Sequence, residues 1–300
     1  MRIALSFGSG GARGFAHFGI IEELEARGHQ IVAVSGASMG ALVGGVYAAG
    51  KLPEFRDWAY GLTQSSVFKL LDFVMLGPGI VNADRVVREV SEIIGNLQIE
   101  DLNVPYTAVA TDLTTRREIW FQSGPLDMAI RASIAIPSVI TPVNYEGRIL
   151  ADGGITNPVP LEPLASVVSD AVIAVGLSGK PTIVTAPPDP AGGEEPQGWM
   201  SKLFASWGDR RATAEHLDED ADHAPSFDSL PGSLKVMDVI NMSLETMQGA
   251  IERYRMASNP PDVLISVPRD AASTYDFHRA AEIAEVGRAE AVAAFDAAGL

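Results

Sequence analysis

Apolar residues fall along this chain in short blocks that alternate between two periods, and most blocks end at glycine. Ile3-Ala4-Leu5-Ser6-Phe7 and Ile31-Val32-Ala33-Val34 are apolar runs of strand length, as expected of strands covered on both faces. Between them Phe18, Ile21 and Leu24 make a helical stripe, with Gly28 as the expected stop. An alanine-rich helix through Tyr47 to Gly50 follows the second run. Two successive strand–loop–helix units put their loops at the carboxyl ends of neighbouring parallel strands, the rim where open α/β sheets bind ligands.

The same reading continues downstream. It predicts a helix around Pro53 to Gly61, an apolar stretch from Val67 to Leu76 and an amphipathic helix over Asp84 to Ile94. Strands are expected at Tyr106–Ala110 and Glu118–Phe121, then a short helix over Leu126–Ser133 closed by Pro137 and Pro142. Arg148-Ile149-Leu150 reads as a strand delivering Ala151-Asp152-Gly153-Gly154, and Ala171–Leu177 as a fully buried one. Met237, Ile240, Leu244, Met247, Ile251 and Tyr254 step by threes and fours, so one apolar helical face is expected there, with Met237, Met242 and Met247 filling core. A last strand at Val263–Val267 and a helix from Phe277 to Ala298 complete an α/β fold with a mostly parallel central sheet flanked by helices. No internal repeat is present.

Composition changes this picture in one place. Between Pro181 and Ser233 lie seven of the 19 prolines and ten acidic residues against three basic ones. That stretch reads as an inserted, partly disordered loop or lid at 181–233 in a single domain spanning 1–300, with C-terminal helices in 234–300. Within it Trp199, Met200, Leu203, Phe204 and Trp207 keep helical spacing near Lys202, Arg210 and Arg211. Such a segment suits either an interfacial helix touching a membrane or a lid packed on its own domain.

A formal charge of −16 argues against nucleic acid as a partner and against charge-driven binding to anionic lipid. Without cysteine, thiol nucleophiles and thiolate metal sites are excluded. The uncharged stretch from Ile31 to Ala49 is long enough to resemble a membrane span, but its glycines sit where a tight turn and close helix packing need them. No secretory leader is apparent, so a cytoplasmic protein, peripheral to the inner membrane face if Trp199–Trp207 touches lipid, is expected.

Gly36-Ala37-Ser38-Met39-Gly40 stands between a predicted strand and a predicted helix, the context a G-x-S-x-G nucleophile elbow requires. Ser38 is therefore a candidate nucleophile. The loop Gly8-Ser9-Gly10-Gly11-Ala12-Arg13-Gly14 places an arginine where a dinucleotide fingerprint needs its third glycine. It fits better as an oxyanion hole built from the amides of Gly10, Gly11 and Ala12. Arg13 either pins that loop or binds phosphate. His17 reads as a packed residue and His29 as exposed. His216 and His223 lie in an acidic run, a solvated stretch or a weak metal site. His278 comes late enough in the chain to complete a triad. Asp152, ending a strand before two glycines, is either a proton acceptor or the first residue of an Asp-Gly turn.

With Ser38 and Asp152 in view, the chain resembles the patatin-like phospholipases, in particular their compact bacterial members. The matching blocks are Gly8 to Gly14 continued by Ala16-His17-x-Gly19, Gly36 to Gly40, Ala132-Ser133 with Pro137 and Pro142, and Asp152-Gly153-Gly154 with Asn157-Pro158-x-Pro160. Ala110-Thr111-Asp112-Leu113 is also typical, and Ser9 replaces one glycine of the fullest form of the loop. The resemblance implies a three-layer sandwich and a Ser38–Asp152 dyad without a catalytic histidine, cofactor or metal. It further implies hydrolysis of fatty acyl esters of phospholipids or lysophospholipids through an acyl-enzyme. A carboxylesterase or thioesterase of soluble esters, and a catalytically silent lipid-binding protein, are the alternatives. The intact Ser38, Asp152 and glycine loop speak against silence.

Overall fold

The computed structural model describes residues 1–70, 72–73, 81–82, 84–137, 139–181 and 236–300. By its contacts the chain divides into two units, Met1–Ile183 with Met242–Leu300, and Val184–Asn241. The sheet and the site belong to the first; of the second, only residues 236–241, opening a helix, are described. The 181–233 insertion, with Trp199–Trp207, His216 and His223, lies outside the described residues beyond Pro181, as does most of Leu71–Leu76.

Strand β1 (Arg2–Phe7) runs through a 3-10 turn (Gly11–Phe15) into α1 (Ala16–Ala26). Strand β2 (Gln30–Ala37) turns at once into α2 (Met39–Ala48). Helices α3 (Leu52–Tyr60) and α4 (Gln64–Leu70) follow, then the two-residue strands β3 (Asp72–Phe73) and β4 (Val81–Asn82), paired with each other, and α5 (Asp84–Ile94). Next come β5 (Tyr106–Asp112), β6 (Arg117–Phe121), α6 (Leu126–Ser133), β7 (Val143–Tyr145), β8 (Arg148–Asp152) and β9 (Ala171–Gly179). The chain closes with α7 (Val236–Ser258), β10 (Val263–Pro268) and α8 (Ala280–Ala298). The main sheet runs β10-β9-β1-β2-β5-β8-β7, with β6 also on β5. Its pairs from β10 to β5 are parallel; β6, β7 and β8 join antiparallel.

The two faces of this sheet are unequal, and strand alternation shows why. Ile3, Leu5 and Phe7 of β1 and Ile173, Val175 and Leu177 of β9 enter one large core with α1, α2, α6 and α8. The intervening Ala4 and Ala174 face small clusters formed with Leu164 and with Val159 and Leu161. Large side chains thus meet the thick helical layer and alanines meet a thin one. In the thick layer α1 and α8 touch backbone to backbone: a Cβ on Gly19 would lie 2.0 Å from the Ala284 carbonyl, and one on Gly287 2.0 Å from that of Ala16.

Helix α7 reverses the expectation from its periodicity. Met242, Met247 and Tyr254 are 57%, 56% and 78% exposed instead of filling core. The helix turns its charged side inward, pairing Glu245 with Arg13 and Arg255 with both Glu118 and Glu162, while Glu252 takes a hydrogen bond from Ser178. Met256 is the residue that packs on Val159, Leu161 and Ala174. Periodicity finds an amphipathic helix but not which side is turned in; here ion pairs across the thin layer decide it.

Candidate active site

The turn after β2 is built by steric necessity. Ser38 adopts φ 55° and ψ −124°, a conformation costly for any residue with a side chain. A Cβ on Gly36 would sit 2.4 Å from the Gly40 carbonyl, and one on Gly40 2.3 Å from the carbonyl oxygen of Phe7. The two glycines therefore let the corner fold shut against β1, and the serine is held at the N-terminus of α2. Ser38 is 3% exposed.

Strand β5 brings Asp152 to that corner. One edge of β5 pairs with β6 along residues 108–112. The other edge is shared: β2 occupies residues 106–109 and β8 residues 110–112. Ala37 lies opposite Val109 and Asp152 opposite Ala110, so a parallel strand and an antiparallel one end against each other on consecutive residues. Ser38 follows the first of these ends and Asp152 is the second. A Cβ on Gly153 would fall 2.0 Å from the Val109 carbonyl oxygen, so the chain can turn over β5 only because that residue is glycine.

Asp152 is buried, and burial pushes its carboxyl up to about 7 against the lowering influence of the nearby Ser38 hydroxyl and of the Gly154 amide. Oδ1 accepts from the Gly154 N–H at 2.7 Å. Oδ2 is shielded from solvent, and among the described residues no donor reaches it with hydrogen-bond geometry. A carboxyl in this state is a usable proton acceptor near neutral pH, unlike an ordinary aspartate.

The glycine loop runs beside the elbow and most of its backbone is committed. Gly8 and Ser9 donate to the carbonyls of Val175 and Pro158 at 2.9 and 2.8 Å. The Ala12 N–H, expected as an oxyanion donor, is spent on the Thr274 carbonyl at 2.9 Å, because the segment before α8 folds against the loop. Among the described residues no acceptor takes the Gly10 or Gly11 N–H, so two donors remain of the three expected. Arg13, nearly buried, donates to the carbonyls of Gly10 (3.3 Å) and Arg269 (3.0 Å) and to Glu245 (3.0 Å). Those contacts pin the loop to α7. Gly14 leaves room for Met39: a Cβ there would lie 2.2 Å from the Met39 side chain.

His17 is fully buried against the Phe7 ring, with Nε2 at 3.1 Å from the Gly8 carbonyl oxygen. Burial lowers its pKa to about 4, so it is neutral at neutral pH and supports the loop. His29 is half-buried beside the Met1 amino group. His278 lies on the turn Phe277–Arg279, and among the described residues no hydrogen bond joins it to Ser38 or Asp152. Gly154 packs against the Ser9 side chain. Glu245 and Thr274, which fasten the loop from 230 residues or more downstream, carry no local signal that sequence reading could find. Among the described residues no cluster of three or more His, Asp or Glu could hold a metal, and no helix is long and apolar enough to cross a membrane.

Comparison with known proteins bears on the same residues. The family model Patatin-like phospholipase matches residues 5–165. An uncharacterized NTE family protein of Mycobacterium bovis is 41% identical over 99% of this chain and 92% of its own length. Lysophospholipase NTE1 of Coccidioides immitis is 27% identical over 95% of this chain, which spans 17% of that protein. Among solved structures, VipD from Legionella pneumophila aligns with a TM-score of 0.46 at 16% identity, covering 99% of this chain and 66% of that one.

Proposed function

Because the chain belongs to the patatin-like phospholipase family, we propose that it is a serine hydrolase that cleaves fatty acyl esters of phospholipids or lysophospholipids through a Ser38–Asp152 dyad. The observation that carries this reading is the meeting of a strained serine with a buried carboxyl whose proton affinity is raised to about 7. Asp152 takes the Ser38 proton as Oγ attacks the ester carbonyl. The Gly10 and Gly11 amides receive the oxyanion, each such donor being worth about 3 kcal/mol. The proton passes from Asp152 to the leaving alkoxide as the acyl-enzyme forms. Water, deprotonated by Asp152, then releases the fatty acid and restores the serine.

The name lysophospholipase on a relative aligned over nearly the whole chain supports a lipid ester over a soluble one. The test pairs a fluorophosphonate probe with a panel of lysophospholipids, phospholipids and soluble esters of graded chain length. Labelling confined to Ser38, and turnover that favours lysophospholipids, are the expected results. An unlabelled Ser38 would reject the enzyme reading, and preference for short soluble esters would reject the lipid substrate.

A further inference from the structure

The two residues of the dyad stand at the ends of different strands, Ser38 just after β2 and Asp152 as the last residue of β8, and these strands do not pair with each other. Something must set their separation across the point where these strands end against each other on β5. Val109 stands at that point, opposite the last residue of β2, with Ala110 next to it opposite Asp152.

The end of α6 reaches this junction. Ser133 is fully buried, and its hydroxyl donates to the Val109 carbonyl oxygen at 2.6 Å. The hydroxyl oxygen of Ser133 in turn accepts the N–H of Ser38 at 2.9 Å. Two residues on, the Ala135 carbonyl accepts the N–H of Asp152 at 2.8 Å. A segment of three residues thus holds the backbone of the nucleophile at one end and that of the acceptor at the other. The direction of the Ser133 hydroxyl proton is set by the Val109 carbonyl, a pure acceptor. Its lone pairs are therefore turned to Ser38, a residue whose backbone conformation is unfavourable and needs outside support.

We propose that Ser133 is a positioning residue for acyl transfer, a strut that holds the Ser38 corner on β5 at the distance from Asp152 that proton transfer requires. The inference rests on the dyad reading and deepens it. Ser133 is fully buried and its hydroxyl bonds are to the backbone groups of Val109 and Ser38, so its removal acts on the geometry of attack and not on substrate binding. Serine suits the place because one oxygen can donate to a carbonyl and accept from an amide at once. Alanine leaves both of those buried groups without partners.

The experiment compares Ser133→Thr with Ser133→Val, an isosteric pair that adds the same bulk and differs only in the hydroxyl, alongside Ser133→Ala. Steady-state kinetics on a lysophospholipid panel and the rate of fluorophosphonate labelling are measured at a temperature where melting curves show each variant folded. The expected result is kcat and labelling rate about ten-fold higher in the threonine variant than in the valine variant, equivalent to 1.36 kcal/mol of barrier, with KM equal within two-fold. Ser133→Ala is expected to follow valine. Equal kcat in the threonine and valine variants would overturn the proposal, as would a difference carried by KM alone. Failure of the wild-type enzyme to label at Ser38 would instead reject the dyad reading on which it stands.

Discussion

Replacing Asp152 with asparagine separates the stability of the site from its chemistry. An ordinary aspartate ionises at 3.8, and burial pushes Asp152 up to about 7 despite the lowering influence of the Ser38 hydroxyl and the Gly154 amide. Between roughly pH 4 and pH 7 the native state therefore keeps a proton that the unfolded chain has released. Stability falls as pH rises through that window, because the unfolded state binds fewer protons. At 1.36 kcal/mol per unit, the rise costs the native state roughly 4 kcal/mol once the carboxyl is ionised. An asparagine side chain carries no charge and keeps an oxygen for the Gly154 amide, so D152N escapes this cost. Urea unfolding of both proteins from pH 4 to pH 8 should show a gap near zero at the acid end, widening to as much as about 4 kcal/mol in favour of D152N. His17 works in the opposite direction: lowered to about 4, it adds stability as pH rises from 4 to 6.5. It is present in both proteins, so the difference between them isolates residue 152. The same substitution should cut acyl-enzyme formation by roughly three orders of magnitude, the scale on which removal of a catalytic base acts. A gap that stays flat across pH, or a wild type that is the more stable protein at pH 8, would refute the reasoning.

Other outcomes follow from the same geometry. Ser38→Gly should be more stable than Ser38→Ala by about 1 kcal/mol in thermal melts, because only glycine relieves the positive φ; equal stabilities would deny that the corner is strained. Gly40→Ala forces a Cβ to 2.3 Å from the Phe7 carbonyl oxygen, where only backbone can yield, and should cost about 3 kcal/mol in urea unfolding together with most of the activity. Met247→Gln should change stability by no more than about 0.5 kcal/mol, since that side chain is exposed; a loss of about 2 kcal/mol or more would show that the apolar side of α7 is covered.

Much of this protein is legible in one dimension. Buried strands announce themselves as uncharged runs, and helices such as Asp84–Ile94 and Leu126–Ser133 by apolar stripes whose ends coincide with those observed. The elbow is legible too, because its chemistry is local: a serine at positive φ needs glycines two positions away on both sides, and those spacings survive in the sequence. The identity of the acid partner is not local. A residue-by-residue reading leaves Asp152 between a proton acceptor and a turn, and only the family resemblance names it. Tertiary structure supplies the reason, the sharing of one β5 edge by two strands of opposite direction, which no spacing along the chain encodes.

The errors have the same origin. Whether the Ala12 amide is a free donor depends on where Thr274 comes to lie, and whether Met247 is core depends on which side of α7 finds partners. Sequence determined most of the elements, though not α4 or β7, and with them the strained corner and the presence of a glycine loop, since these follow from sterics and hydrophobic periodicity within a few residues. Tertiary structure alone decided which amides stay free, which side of α7 turns inward and that Ser133 bridges the Ser38 corner to β5. Each of these is a choice among partners distant in the chain, settled by burial and hydrogen-bond satisfaction across the fold.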